Sequence, residues 1–103
     1  MLTVEEAIRY LEKKYVNQCI ISGLDMGDFY AFSMMSRSAN PTSVASIPVN
    51  PTMKAIRKNS GKEFPFHIFH SSEGDLKGEI DVAKYLSASD AAFARKIQAM
   101  LEE

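Results

Sequence analysis

The chain has 103 residues, a net charge of −1, 46% hydrophobic and 24% charged residues, and a single cysteine. That is one domain, 1–103, large enough for its own core and ordinary enough in composition to exclude disorder. A lone Cys19 excludes an internal disulfide, and no apolar run reaches the ~20 residues that span a bilayer.

The N-terminus, Met1-Leu2-Thr3-Val4-Glu5-Glu6, carries acids where a secretory signal carries bases, so a cytoplasmic protein with no membrane partner is expected. Thr3 and Glu6 have capping-box spacing. Val4, Ala7, Ile8, Leu11 and Tyr15 then fall on one stripe at 3.6 residues per turn, predicting a helix over 4–15. Glu5, Arg9, Glu12 and Lys13 occupy its outer face, where Arg9 can pair with either glutamate.

Two short apolar runs follow, Gln18–Leu24 and Phe29–Met35, around Asp25-Met26-Gly27-Asp28. They predict a β-hairpin with Gly27 in the left-handed region. Tyr30, Phe32 and Met34 share a face by the two-residue period and read as core. Cys19 lies in an apolar run with no adjacent histidine and reads as a buried thiol. Residues 36–52 are rich in Ser, Asn and Pro, with a short edge strand expected near Val44–Val49. Both Asn-Pro-Thr triplets carry proline where a glycosylation site forbids it.

Residues 53–58 and 63–69 flank Asn59-Ser60-Gly61-Lys62 and suggest a second hairpin, with a short helix over 53–58 as the rival reading. Pro65 marks an edge or a bulge in this strand. A polar loop over 71–78, a helical turn over 81–86 and a last helix capped by Ser87 or Ser89 complete the chain. Phe93, Ile97, Met100 and Leu101 form that helix's apolar side. The expected fold is α+β: an N-terminal helix, an antiparallel sheet of three to four strands, and a C-terminal helix.

Motifs for chemistry fail on inspection. His67 and His70 point to opposite faces of a strand and have no acidic or cysteine companion nearby, so no metal is expected. Glu73–Lys84 echoes a calcium loop but places Lys77 and Lys84 where oxygen ligands belong. Ser60-Gly61-Lys62 lacks the other glycine of a phosphate loop, Ile56 standing there, and Glu63 replaces its Ser or Thr. Asp25 and Asp28 read as turn residues. An enzyme gathered from Cys19, Asp25, His67 and His70 is the least favoured reading, and no cofactor is expected.

The charge arrangement is more informative. Residues 37–63 hold Arg37, Lys54, Arg57, Lys58 and Lys62 against Glu63 alone, a local balance of +4. Four of these cations crowd the second predicted turn, so Lys54, Arg57, Lys58 and Lys62 are the candidate partner-binding residues. Solvated protection of a sheet edge, an acidic protein partner and, less favoured, nucleic acid are the three readings of that patch. An edge strand or the Phe93–Leu101 helix is a candidate homodimer interface.

The N-terminal helix, the Asp28-Phe29-Tyr30-Ala31-Phe32 strand and the Lys58-Asn59-Ser60-Gly61-Lys62-Glu63-Phe64 turn together resemble small bacterial and prophage-encoded proteins. Immunity proteins and PepSY-like domains share this order of a helix and an antiparallel sheet. The resemblance covers about residues 3–35 and 55–69, with Ser60 where the family turn carries threonine, a long Asn-Pro insertion and an added C-terminal helix. It implies a binding role and transfers no catalytic residue.

Overall fold

The computed structural model describes residues 1–36, 52–65 and 77–101. The strand expected near 44–49, together with Arg37, His67 and His70, lies outside them.

Helix α1 spans Val4–Lys14. Its capping box is formed as the spacing predicts: the Glu6 amide donates to Thr3 Oγ1 at 3.2 Å, and the Thr3 amide to Glu6 Oε1 at 3.0 Å. These bonds satisfy amides that a helix start otherwise leaves unpaired. Glu5 and Glu6 in the first turn and Lys13 and Lys14 in the last complement the helix dipole. Ala7, Ile8 and Leu11 are fully buried, and the burial of Ile8 and Leu11 stabilises the fold by about 1.5–3 kcal/mol each.

Among the described residues the sheet has five strands: β1 (Gln18–Asp25), β2 (Phe29–Ser36), β3 (Thr52–Arg57), β4 (Glu63–Pro65) and β5 (Gly78–Ile80). Their order is β4-β3-β2-β1-β5, and every pairing is antiparallel. The count exceeds the expected three to four. The unforeseen strand, β5, is three residues long and too short to show a period; only its pairing with Gly23–Asp25 defines it. Residues 52–57 are strand, not helix, because β2 pairs with them from Phe29↔Arg57 to Met34↔Thr52. Pro65 sits on the outermost of the described strands, where its missing N–H costs no bond to β3.

Alternation along the strands gives two distinct faces. Ile20, Tyr30, Phe32, Met34 and Ile56 pack under α1 with Ile8 and Leu11. Phe29, Ala31, Ala55 and Met26 cluster on the other face, with Leu24, Met53 and Phe64 at the margin. In β1 the pairing shifts between Ile20 and Ser22, so Ile21 is an inserted residue and Cys19, Ile20 and Ile21 are all buried.

A 3-10 turn (Val82–Tyr85) leads to α2 (Ala88–Leu101). Ser87 is the residue that caps α2: its Oγ accepts from the Asp90 amide at 3.4 Å, and its carbonyl accepts from the Ala91 amide. Ile97 packs with Ile21 and Met35, so α2 and α1 lie on opposite faces of the sheet. Because β5 covers only Gly23–Asp25, α2 lies over the rest of this edge of β1. Gln98 Nε2 donates to the Ile21 carbonyl at 2.6 Å, and the buried Cys19 Sγ lies 3.7 Å from the Asp90 carbonyl.

Candidate partner-binding site

The β3–β4 hairpin turns through Lys58-Asn59-Ser60-Gly61. The Gly61 amide donates to the Arg57 carbonyl at 2.8 Å, and the Arg57 amide to the Lys62 carbonyl at 3.0 Å. Gly61, at φ 69°, takes the left-handed position that closes the turn. The sequence crowds four cations here, and the pleat then separates them.

Lys54 pairs with Phe32 across the sheet and therefore lies on the α1 face. Its Nζ sits 4.7 Å from the centre of the Tyr15 ring. Glu63, on the same face, accepts from the Tyr15 hydroxyl at 2.7 Å and from Lys14 Nζ at 3.2 Å. Burial raises the Glu63 carboxyl, but the Tyr15 and Lys14 hydrogen bonds and the nearby charges of Lys14 and Lys54 outweigh it and hold the group below its ordinary value. Lys14, bonded to the Tyr10 hydroxyl and to Glu63, is held above the ordinary lysine value. Lys54 thus belongs to an internal network that fastens the end of α1 to the hairpin.

Lys58 is a structural tie. Its Nζ bonds Asp25 Oδ1 at 2.8 Å and lies 4.7 Å from the centre of the Tyr30 ring, with the side chain only 13% exposed. Its backbone joins two further segments: its amide donates to the Asp28 carbonyl, and its carbonyl accepts from the Leu2 amide. The Lys58 bond is the main cause of Asp25's lowered pKa; burial opposes it, and the Gly27 amide donating to Oδ1 at 3.0 Å reinforces it. Asp25 is therefore the turn residue the sequence suggests and also a charge partner 33 residues distant, which no local pattern signals.

Arg57 and Lys62 remain. Arg57 lies opposite Phe29 on the face away from α1 and is exposed. Its guanidinium carbon stands 4.4 Å from the centre of the Phe64 ring. Phe64 in turn meets the buried Phe29 edge-on, with centroids 5.1 Å apart and planes at 76°. Lys62, two residues before Phe64 and hydrogen-bonded through its backbone to Arg57, is exposed beside it. Of the four candidate residues, the fold brings Arg57 and Lys62 together, and it occupies Lys54 and Lys58 internally. Phe64, which the sequence places on the 63–69 strand and does not mark as a binding residue, is the missed member of the site. An aromatic two residues beyond a basic turn is the signal that could have found it.

No family model, curated protein or solved structure matches this chain. Among the described residues no helix is long and apolar enough to cross a membrane.

Proposed function

We propose that this is a small non-enzymatic binding protein, of the toxin-immunity or prophage-accessory kind, that docks an acidic protein partner on the tip of the β3–β4 hairpin. The observation that supports this reading is the chain of contacts from Arg57 to the Phe64 ring and from Phe64 edge-on to the buried Phe29. An arginine held over an aromatic ring that is itself braced against the core gives up less rotamer freedom on binding than an unsupported one. It can therefore offer a carboxylate its forked donors at low entropic cost. Arginine and aromatic residues of this kind dominate interface energetics. Lys62 adds a second cation on the same tip.

The internal use of Lys54 and Lys58 disfavours the nucleic-acid reading, because a phosphate backbone is held by many cations acting together. The test is affinity capture from the native host with the wild-type chain and with the double variant Arg57→Glu, Lys62→Glu, alongside gel shifts with DNA and RNA at about 50 mM salt. Retention of an acidic protein by the wild type and its loss in the variant is the expected result. A nucleic-acid shift that the variant abolishes would replace this reading with the other.

A further inference from the structure

A second candidate site lies away from the hairpin tip. A cleft of about 470 Å³ opens between the sheet face opposite α1 and the flank of α2, within the size range of small-molecule sites. Its floor is Ser22 and Ser33, which face each other across β1 and β2, with Ala31 two residues before Ser33 on β2 and Met53 opposite Ser33 on β3. Glu79, paired with Leu24 and hence on this face, stands at one side with Asp81, and Gln98 of α2 closes the other.

Two features set this cleft apart. A sheet face otherwise built from Phe29, Ala31, Met35 and Ala55 carries paired serines at its centre, so hydroxyls take the place of apolar packing. The charges are also of one sign: among the described lining residues the ionisable groups are Glu79 and Asp81, both exposed carboxylates, and there is no lysine or arginine. Gln98 already spends an N–H on the Ile21 carbonyl, which leaves its own carbonyl oxygen as an acceptor. The cleft thus offers two carboxylates, two hydroxyls and an amide oxygen around the hydrocarbon of Leu24, Ala31 and Met53. Its complement is a molecule with N–H donors and positive charge at its ends and methylenes between them.

We infer that this cleft binds an aliphatic polyamine. One ammonium group meets Glu79 and Asp81, the chain lies on Leu24, Ala31 and Met53, and a second amine reaches the Ser22–Ser33 floor. The inference is independent of the hairpin reading.

The probe is spermidine, titrated into the full chain carrying ¹³C-methyl methionine. The Met53 methyl, on the cleft, is expected to shift saturably. The Met34 methyl, buried beneath α1 on the other face, is expected to stay in place. Glu79→Gln with Asp81→Asn should weaken binding at least tenfold, with an unchanged Met34 signal reporting an intact fold. Arg57→Ala should leave spermidine binding unaltered, although it disables the hairpin tip, so the two proposals fail separately. Absence of a saturable Met53 shift, equal affinity in the doubly neutralised variant, or equal binding of the uncharged 1,8-octanediol would each overturn the assignment.

Discussion

At the scale of single residues, two positions carry more constraint than their chemistry advertises. Gly23 is buried with its α-carbon facing the α1 side of the sheet. A Cβ placed there would lie 2.9 Å from the Phe32 ring and 3.1 Å from Val82 Cγ1. Both neighbours are fully buried, so neither can retreat. Gly23→Ala is expected to lower unfolding stability by about 1–3 kcal/mol, as overpacking of a filled core does, measured by chemical denaturation. Lys58 is the second. Lys58→Met removes the partner of Asp25 and should cost about 1–2 kcal/mol, given a charge-assisted bond that is partly screened. Arg57→Ser at the adjacent position should stay within about 0.5 kcal/mol of the parent, as exposed substitutions usually do. If the two variants lost equal stability, the division of the cations into structural and free would be wrong.

The carboxylates give this scale a pH dependence. Asp25 and Glu63 are both held below their ordinary values of 3.8 and 4.5. A group with a lowered folded pKa binds its proton more readily in the unfolded chain. Its stabilisation is therefore complete above the ordinary value and is lost as pH falls toward the folded one. The stability of the protein should decline on acidification below about pH 4.5. Glu63→Gln should flatten that decline, and the gap between variant and parent should close at the acid end. A gap that persists unchanged into acid, followed by urea unfolding across pH, would assign the Glu63 effect to shape and not to charge.

At the scale of elements, local rules account for α1 and the hairpins, while α2 depends on distant partners. Thr3→Ala should cost about 1 kcal/mol through loss of the capping box, which is a local matter. Gln98→Leu tests the opposite case. Its side-chain bond to the Ile21 carbonyl crosses 77 residues and covers the stretch of β1 that β5 leaves unpaired. The substitution should destabilise the fold by about 1–2 kcal/mol and speed amide exchange in β1 near Ile21 more than in β2. Uniform faster exchange throughout the sheet would show that Gln98 contributes to global stability alone. Helix coverage together with an inserted residue is a recognised way to protect a sheet edge. At the other end of the described strands, β4 carries Pro65 and its basic turn instead.

At the scale of the whole molecule, the sheet separates two environments. On the α1 side lie Phe32, Tyr30, Ile8, Leu11, Ile20, Met34 and Ile56 and the Tyr15–Glu63–Lys54 network. The other face carries Arg57 over the Phe64 ring at one end and the serine-floored cleft beside α2 at the other. The two proposed sites thus share a face, and the ligands proposed for them are of opposite charge. The chain's net charge of −1 conceals this separation because the opposing charges cancel in the total.

The sequence alone determined what repeats at short range. The Thr3–Glu6 spacing and the stripe from Val4 to Leu11 specify α1, because capping and a 3.6-residue period are local. The Gly27 and Gly61 turns specify the hairpins, because left-handed backbone is cheap only for glycine. The alternation at Tyr30, Phe32 and Met34 specifies a buried face. The tertiary structure alone decided the strand identity of Thr52–Arg57, since a short segment that fits both periods is settled by whether a neighbour pairs with it. It likewise decided β5, which exists only through its bonds to β1. The basic cluster shows the same limit. Four cations within nine residues are visible in the sequence, but which of them remain available depends on where Asp25, Tyr15, Tyr30 and Phe64 are brought by the fold. A charge count is a property of the chain; an exposed charge is a property of its long-range contacts.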